Sequence, residues 1–326
     1  MADKFDNGAC GIANNGAGNW GAGSAGGSEV VRTFNLEKRY GKTMALNGLS
    51  VSIAENSITG LIGRNGSGKT TLMRILAGVL DKTRGDALVF GSAPMDNLPV
   101  LNRLVYTYHD VAYEQNLNLK SILSIYKIMF ANFDTVFAGK LMDYFDLSEK
   151  MKYKNLSQGM RSIFNFICAL ACRAELTMLD EPVLGMDVTV RKSAYEILLR
   201  DYFEYPRTFI ISSHLLSEIE SLLSDILLIE QGAAVLHRPI DEVRNSAYRI
   251  DGSQAAVERF AAAKNQNIIA QTLGDIVSYA VVYEPITEMA VESAKAQGLT
   301  VSSVRAEDLC VYLTRQKKED ELECLW

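Results

Sequence analysis

Histidine and cysteine are sparse, three and five in 326 residues. The cysteine number is odd and no CxxC occurs, so neither a disulfide framework nor a zinc ribbon is expected. Cys168 and Cys172 lie four apart, on one face of an apolar helical stretch, and read as small buried hydrophobes. This usage fits a reducing compartment. Positive charge is also scarce: the net charge of -6 gives no electrostatic reason to expect a nucleic-acid partner, and none is expected. No uninterrupted apolar run reaches the ~18 residues of a membrane span. The nearest approach, 163–179, is broken by Asn165, Arg173 and Glu175. The N-terminus has no apolar signal-peptide core. The expectation is a soluble, cytoplasmic protein that meets a membrane only through a partner, on the inner face. Tandem repeats, a second glycine loop and sustained heptads are missing too, which argues against repeat arrays and long coiled coils.

What remains is ordinary globular composition, 48% hydrophobic and 22% charged, enough for one large domain and a small one. Residues 1–28 are rich in Gly, Ala and Asn and read as a disordered tail, because they bury too little apolar area to offset ordering entropy. From Val30 short β-type stretches (44–53, then 57–62) lead to a glycine loop. A helix follows over Thr70–Ala77, stopped by Gly78. Residues 111–155 look mainly helical. Next come an apolar helix over 157–172, a strand over 176–180, a helix over 189–203 and a strand over 208–212. Such alternation implies a parallel sheet covered by helices. A hairpin about Gln231-Gly232 closes this part. The last ~85 residues read as βαββαβ, with a two-residue turn at Gly274-Asp275 and helix starts at Ser253 and Thr287. That order suggests a small ferredoxin-like α+β unit over 245–315, followed by a polar tail, 316–326.

Two stretches carry chemistry. Gly63-Arg64-Asn65-Gly66-Ser67-Gly68-Lys69-Thr70 matches the P-loop pattern, in which glycine-rich backbone cradles phosphates. The strand before it and the helix after it supply the required context, with the helix N-terminus favouring anions. Lys69 is expected to reach the β/γ-phosphates and the Thr70 hydroxyl to ligate Mg²⁺. The second stretch, Leu176-Thr177-Met178-Leu179-Asp180-Glu181-Pro182, ends an apolar strand in two carboxylates. Beside a P-loop, Asp180 becomes the metal-site residue and Glu181 the general base.

With these in place the chain resembles the ABC ATPase family. Leu156-Ser157-Gln158-Gly159-Met160 resembles its signature loop, usually LSGGQ, and stands ~20 residues before the carboxylate pair as that family pattern requires. Physically, Ser157 is a good N-cap and Gly159 allows close backbone approach. Val183-Leu184-Gly185-Met186-Asp187 resembles the D-loop, and His214 the switch histidine that contacts the γ-phosphate. Tyr40 matches the aromatic that stacks on adenine. Thr71 follows the loop and is carried with it as an ATP-binding residue.

The resemblance covers about residues 30–240. It implies an ABC cassette over 29–240: a mostly parallel sheet, an antiparallel β portion and a helical subdomain over about 111–172. One element departs. The stretch 104–110 lacks the usual Gln, and His109 is its nearest positional match. Gln158 and Met160 also depart from the usual signature. The resemblance further implies ATP and Mg²⁺ as cofactors, and a second cassette packed head to tail, as a homodimer or with a related subunit. It implies a separate membrane-spanning transporter subunit, docked on 111–155. The C-terminal ending resembles that of export-type subunits. The alternative is a cytosolic, non-transport ABC ATPase of the assembly-scaffold type.

Overall fold

A computed structural model describes residues 28–108, 111–114, 116–263, 267–274 and 278–314. In chain order the regular elements are β1 (Glu29–Tyr40), β2 (Thr43–Leu49), β3 (Ser52–Ala54), β4 (Ile58–Ile62), α1 (Lys69–Leu76), β5 (Arg84–Val89), α2 (Leu98–Leu101) and β6 (Leu104–Tyr108). They continue as α3 (Leu119–Met129), α4 (Thr135–Tyr144), α5 (Gln158–Ala171), β7 (Leu176–Asp180), α6 (Val188–Glu204), β8 (Thr208–Ser213), α7 (Leu216–Ile219), β9 (Asp225–Glu230), β10 (Ala233–Pro239) and α8 (Ile240–Arg244). The last stretch holds β11 (Tyr248–Asp251), α9 (Gln254–Ala263), β12 (Ile268–Thr272), β13 (Tyr279–Val282), α10 (Glu288–Ala296), β14 (Thr300–Ser303) and α11 (Ala306–Thr314).

The central sheet has the order β10-β9-β4-β8-β7-β6. Its neighbours are parallel except β9 with β10. Strands β4, β7 and β8 are buried at every position, so both faces of the sheet must be covered, which is why they read as continuous apolar runs. Alternation divides their side chains between two cores. Met178 and Ile210 join α1 and the β1 sheet on one side. Leu179 and Ile211 join α3 to α6 on the other. In the antiparallel sheet, β1 pairs with β2, β3 and β5.

Helix starts follow side-chain capping. Asn118, Asp134, Ser157, Asp187 and Thr287 each accept a bond from a backbone N–H three residues on, satisfying a donor that the helix leaves orphaned. Two of these caps break the expected helical stretch 111–155 into α3 and α4. The Ser157 cap opens α5, whose inner face is apolar and buried from Ile163 to Ala171.

The C-terminal sheet has the order β12-β13-β11-β14, antiparallel throughout. Its own core holds Tyr248, Ile250, Val257, Phe260 and Ala294. The connection between β12 and β13 is longer than a two-residue turn. Thr272 pairs with Tyr279, and Ser278 Oγ bonds both the N–H and the C=O of Gly274, closing a wider loop. Asp275 lies outside the described residues, as do both proposed tails apart from Ser28. Helix α11 joins the two regions: Leu309 and Cys310 share one apolar cluster with Leu216, Ile219 and Val243 of the larger part. Ser217 Oγ also donates to Glu307 at 3.0 Å.

Candidate functional site

The chemistry gathers where β4, β7 and β8 end, the edge at which open parallel sheets bind ligands. After Ile62 the chain turns through 63–68 and enters α1. Gly66 and Gly68 hold φ of 83° and 113°, values that L side chains rarely adopt. At Gly68 a Cβ would also meet the Ala45 carbonyl oxygen at 2.5 Å, so this loop needs glycine for space as well as conformation. The loop is braced from behind: Gly232 N–H donates to the Ser67 carbonyl at 2.9 Å, and Asn47 N–H to the Gly232 carbonyl at 2.9 Å. The β9–β10 turn therefore sets the P-loop against β2.

Lys69 is only 6% exposed. Its ammonium donates to the carbonyls of Gly63 at 2.6 Å and Arg64 at 3.2 Å. Burial lowers its pKa, opposed by Glu181, Asp180 and Glu230. The curl of the loop around this lysine is what buries it. A cavity of about 300 Å³ lies beside it, lined by Ala45, Asn65, Gly66, Gly68, Lys69, Thr70, Thr71 and Glu181. That volume is at the small end for a small-molecule site. The first turn of α1 has no side-chain cap, so its backbone N–H groups remain available to a ligand's anionic oxygens.

At the end of β7, Asp180 is 5% exposed. Its carboxylate accepts from Ser212 Oγ at 2.5 Å and from the Tyr106 hydroxyl at 3.2 Å. Glu181 follows at φ 49°, an uncommon conformation for a non-glycine residue and one found at working sites. Its N–H donates to the same Ser212 Oγ at 2.9 Å. Its Oε2 stands 2.9 Å from Nδ1 of His214. One serine hydroxyl thus fixes the Asp180 carboxylate and the Glu181 backbone, and the histidine fixes the Glu181 carboxylate. Ser212 and Tyr106 are the residues that sequence reasoning missed. A polar residue at the buried end of β8, two before the histidine, was the available signal for Ser212.

A second constellation forms at the start of α5. Ser157 Oγ accepts from Met160 N–H at 3.2 Å. A Cβ on Gly159 would meet the Gly185 carbonyl oxygen at 2.5 Å, and Ser162 Oγ donates to the Leu184 carbonyl at 2.7 Å. The Ser157-Gln158-Gly159 turn is therefore seated on residues 184–186, while Asp187 caps α6 through Val190 N–H. None of these residues lines the P-loop cavity. Tyr40 is not in its wall either. It sits at the end of β1, 46% exposed, with the Lys38 ammonium 5.3 Å from its ring centroid. The strand paired with it, β2, supplies Ala45 to the wall. His109 lies outside the described residues.

The ABC transporter family model matches residues 46–184, from within β2 to the turn after the carboxylate pair. The chain is 31% identical over 224 residues to the bacitracin transport ATP-binding protein BcrA of Enterococcus faecalis, covering 67% of this chain and 73% of that one. It belongs to the ABC transporter ATP-binding family. The ABC transporter ATP-binding protein YtrB of Bacillus subtilis is 27% identical over 221 residues, 68% of this chain and 76% of YtrB. The lantibiotic transport ATP-binding protein SrtF of Streptococcus pyogenes is 29% identical over 218 residues, 66% and 93% of the two chains. Among solved structures, an ATP-binding subunit of an ABC transporter superposes with a TM-score of 0.58 at 19% identity, covering 66% of this chain and 92% of that one. A nucleotide-free ABC cassette gives 0.56 at 21% identity, covering 67% and 94%. These two speak for the fold. The ABC protein described here is thus an ATP-binding subunit and an ATPase. Among its described residues no helix is long and apolar enough to cross a membrane.

Proposed function

We propose that this subunit hydrolyses ATP between two cassettes and thereby drives a separate membrane-spanning transporter subunit in export. The observation that carries the reading is the meeting, in one cavity wall, of Lys69, Thr70 and a Glu181 held by Ser212 and His214. In this account the N–H groups of 64–70 and the Lys69 ammonium bind the β- and γ-phosphates, and Tyr40 stacks on the adenine. The oxygens of Thr70 and Asp180 suit a hard cation. Among the described residues no set of three or more His, Cys, Asp or Glu could hold a metal alone, which fits Mg²⁺ entering with the nucleotide's own oxygens. Its charge would offset that developing on the phosphates. Glu181 accepts the proton of the attacking water. His214, hydrogen-bonded to Glu181, orients that carboxylate and reaches the γ-phosphate.

The opposite wall comes from the Ser157-Gln158-Gly159 turn of a second cassette, with Asp187 at the junction. Both half-sites occur in one chain, so a homodimer is sufficient. Export is inferred from the likeness to BcrA and SrtF, named for bacitracin and lantibiotic transport. The cassette spans 29–240, the appended unit 245–315, and the protein acts on the inner face of the cell membrane. The partner docks on the helical subdomain, where Ile128, Met129 and Val136 are exposed.

The test is Glu181→Gln beside wild type, by size exclusion with Mg-ATP and by phosphate release. The amide cannot accept the proton, so turnover falls about 10²–10⁴-fold and an ATP-bound dimer accumulates. Hydrolysis at the wild-type rate refutes the base assignment. An inactive variant that stays monomeric at high ATP refutes the self-sufficient homodimer. Purification from detergent without a membrane-spanning partner favours the cytosolic alternative.

A further inference from the structure

Helix α5 buries two polar side chains on its otherwise apolar inner face, Ser162 and Asn165, each 2% exposed; Asn165 lies eight residues beyond the Ser157 cap. Nothing in the catalytic account uses it. A buried amide in such a place is costly unless its hydrogen bonds are made, and here they are. Nδ2 donates to the Tyr108 carbonyl at 3.1 Å and to the Tyr153 hydroxyl at 3.0 Å. Oδ1 accepts from the Tyr113 hydroxyl at 3.4 Å. Tyr113 OH in turn lies 2.9 Å from Tyr126 OH on α3. Burial raises the pKa of both phenols well above the ordinary value, so these hydroxyls stay neutral donors at any working pH.

The Tyr108 carbonyl is the last of β6. Two residues earlier on that strand, Tyr106 donates to Asp180, and the two tyrosine rings lie 5.5 Å apart. A continuous route therefore runs from the helix that begins at the signature turn, through one amide, to the strand whose hydroxyl touches the metal-site carboxylate. The gap between α5 and β6, lined by Thr107, Tyr108, Ser162, Asn165, Phe166 and Pro182, has no room for a water. The Asn165 amide is thus the direct polar link across it.

We propose that Asn165 is a positioning residue: it locks the signature end of α5 to β6 and so sets the Ser157 half-site in register with Asp180. This rests on the reading that the Ser157 turn works on ATP. The P-loop stands on β4 and α1, outside this network, so nucleotide binding and turnover should separate when the amide is removed.

The experiment compares Asn165→Leu and Tyr153→Phe with wild type in equilibrium ATP binding, kcat and thermal melting. Asn165→Leu should leave ATP affinity unchanged and lower kcat roughly 10- to 100-fold, the scale on which small misplacements act. Tyr153→Phe, which keeps the ring and removes one partner, should fall less in the same pattern. A folded Asn165→Leu with wild-type kcat overturns the proposal, and so does parallel loss of affinity and kcat. Should Asn165→Leu fail to fold, Tyr153→Phe decides by the same split. A wild type that binds ATP yet never turns it over overturns both this proposal and the reading beneath it.

Discussion

Two helix N-termini to which the proposed function assigns phosphate, those of α1 and α5, are built differently. At α1 the loop wraps its own lysine, the first turn has no side-chain cap, and a cavity opens against Glu181. At α5 the first turn is capped by Ser157, and Ser157 and Gln158 stand exposed, outside the wall of the cavity beside α1. On the proposed function the first binds phosphate by itself and the second meets it in a partner. A helix end with open N–H groups favours an anion by itself. A capped, exposed end contributes when a second molecule brings the anion to it. On that proposal the difference separates what one cassette does alone, binding, from what it does in a pair, hydrolysis.

Substitutions can break that contrast from either side. Lys69→Ala acts on the self-contained end and should have the largest effect: loss of measurable ATP binding in titration calorimetry. Its ligand-free melting should fall by no more than about 1–3 kcal/mol equivalent, the cost of leaving the Gly63 and Arg64 carbonyls without their donor. Wild-type affinity would sink the P-loop assignment. Ser157→Arg acts on the exposed end. ATP affinity of the single chain should persist while turnover falls about 10²-fold or more, as when one oxyanion donor is lost. Equal loss of both would erase the contrast.

Ser212→Ala lies between the two extremes. It strips a hydrogen bond from Asp180 and another from the Glu181 N–H, so melting should drop by about 1–3 kcal/mol equivalent and kcat with it, affinity less. Unchanged kcat would mean that the carboxylates hold themselves. Truncation at Val243 should leave turnover per folded molecule nearly intact, since no residue of either half-site lies beyond it. It uncovers Leu216 and Ile219, each worth ~1.5 kcal/mol or more when buried, so the truncated chain should melt lower. Abolished turnover in a folded, truncated chain would instead make α11 a support for the segment after His214.

Much of this was legible in the sequence for physical reasons. The P-loop is local: a strand, glycines that only glycine can replace, and a helix. Strand β7 announces itself as an apolar run ending in two acids, and Asp180 and Glu181 stand where that ending puts them. Ser157 is an N-cap, which local chemistry fixes. Contacts made across the sheet were not legible. Ser212 reaches Asp180 from a strand over thirty residues away, and Tyr106 from one over seventy residues away. Asn165 interrupts an apolar run, and its partners come from β6, residue 113 and residue 153. The burial of Lys69 depends on the fold of the whole loop, and the wide β12–β13 connection on a Ser278 side-chain bond. Pattern reading sees neighbours in sequence; these bonds join neighbours in space.

The central claim is that each ATP is hydrolysed between the P-loop of one chain and the Ser157 turn of another. Mixing two impaired variants tests it directly. Lys69→Ala keeps a sound Ser157 turn, and Ser157→Arg keeps a sound P-loop. Each alone should turn over at most about a hundredth as fast as wild type. Mixed, they should recover ATPase activity, because a mixed dimer contains one site with both halves intact. Mixtures as slow as their components, under conditions where the wild type turns over, would contradict the account.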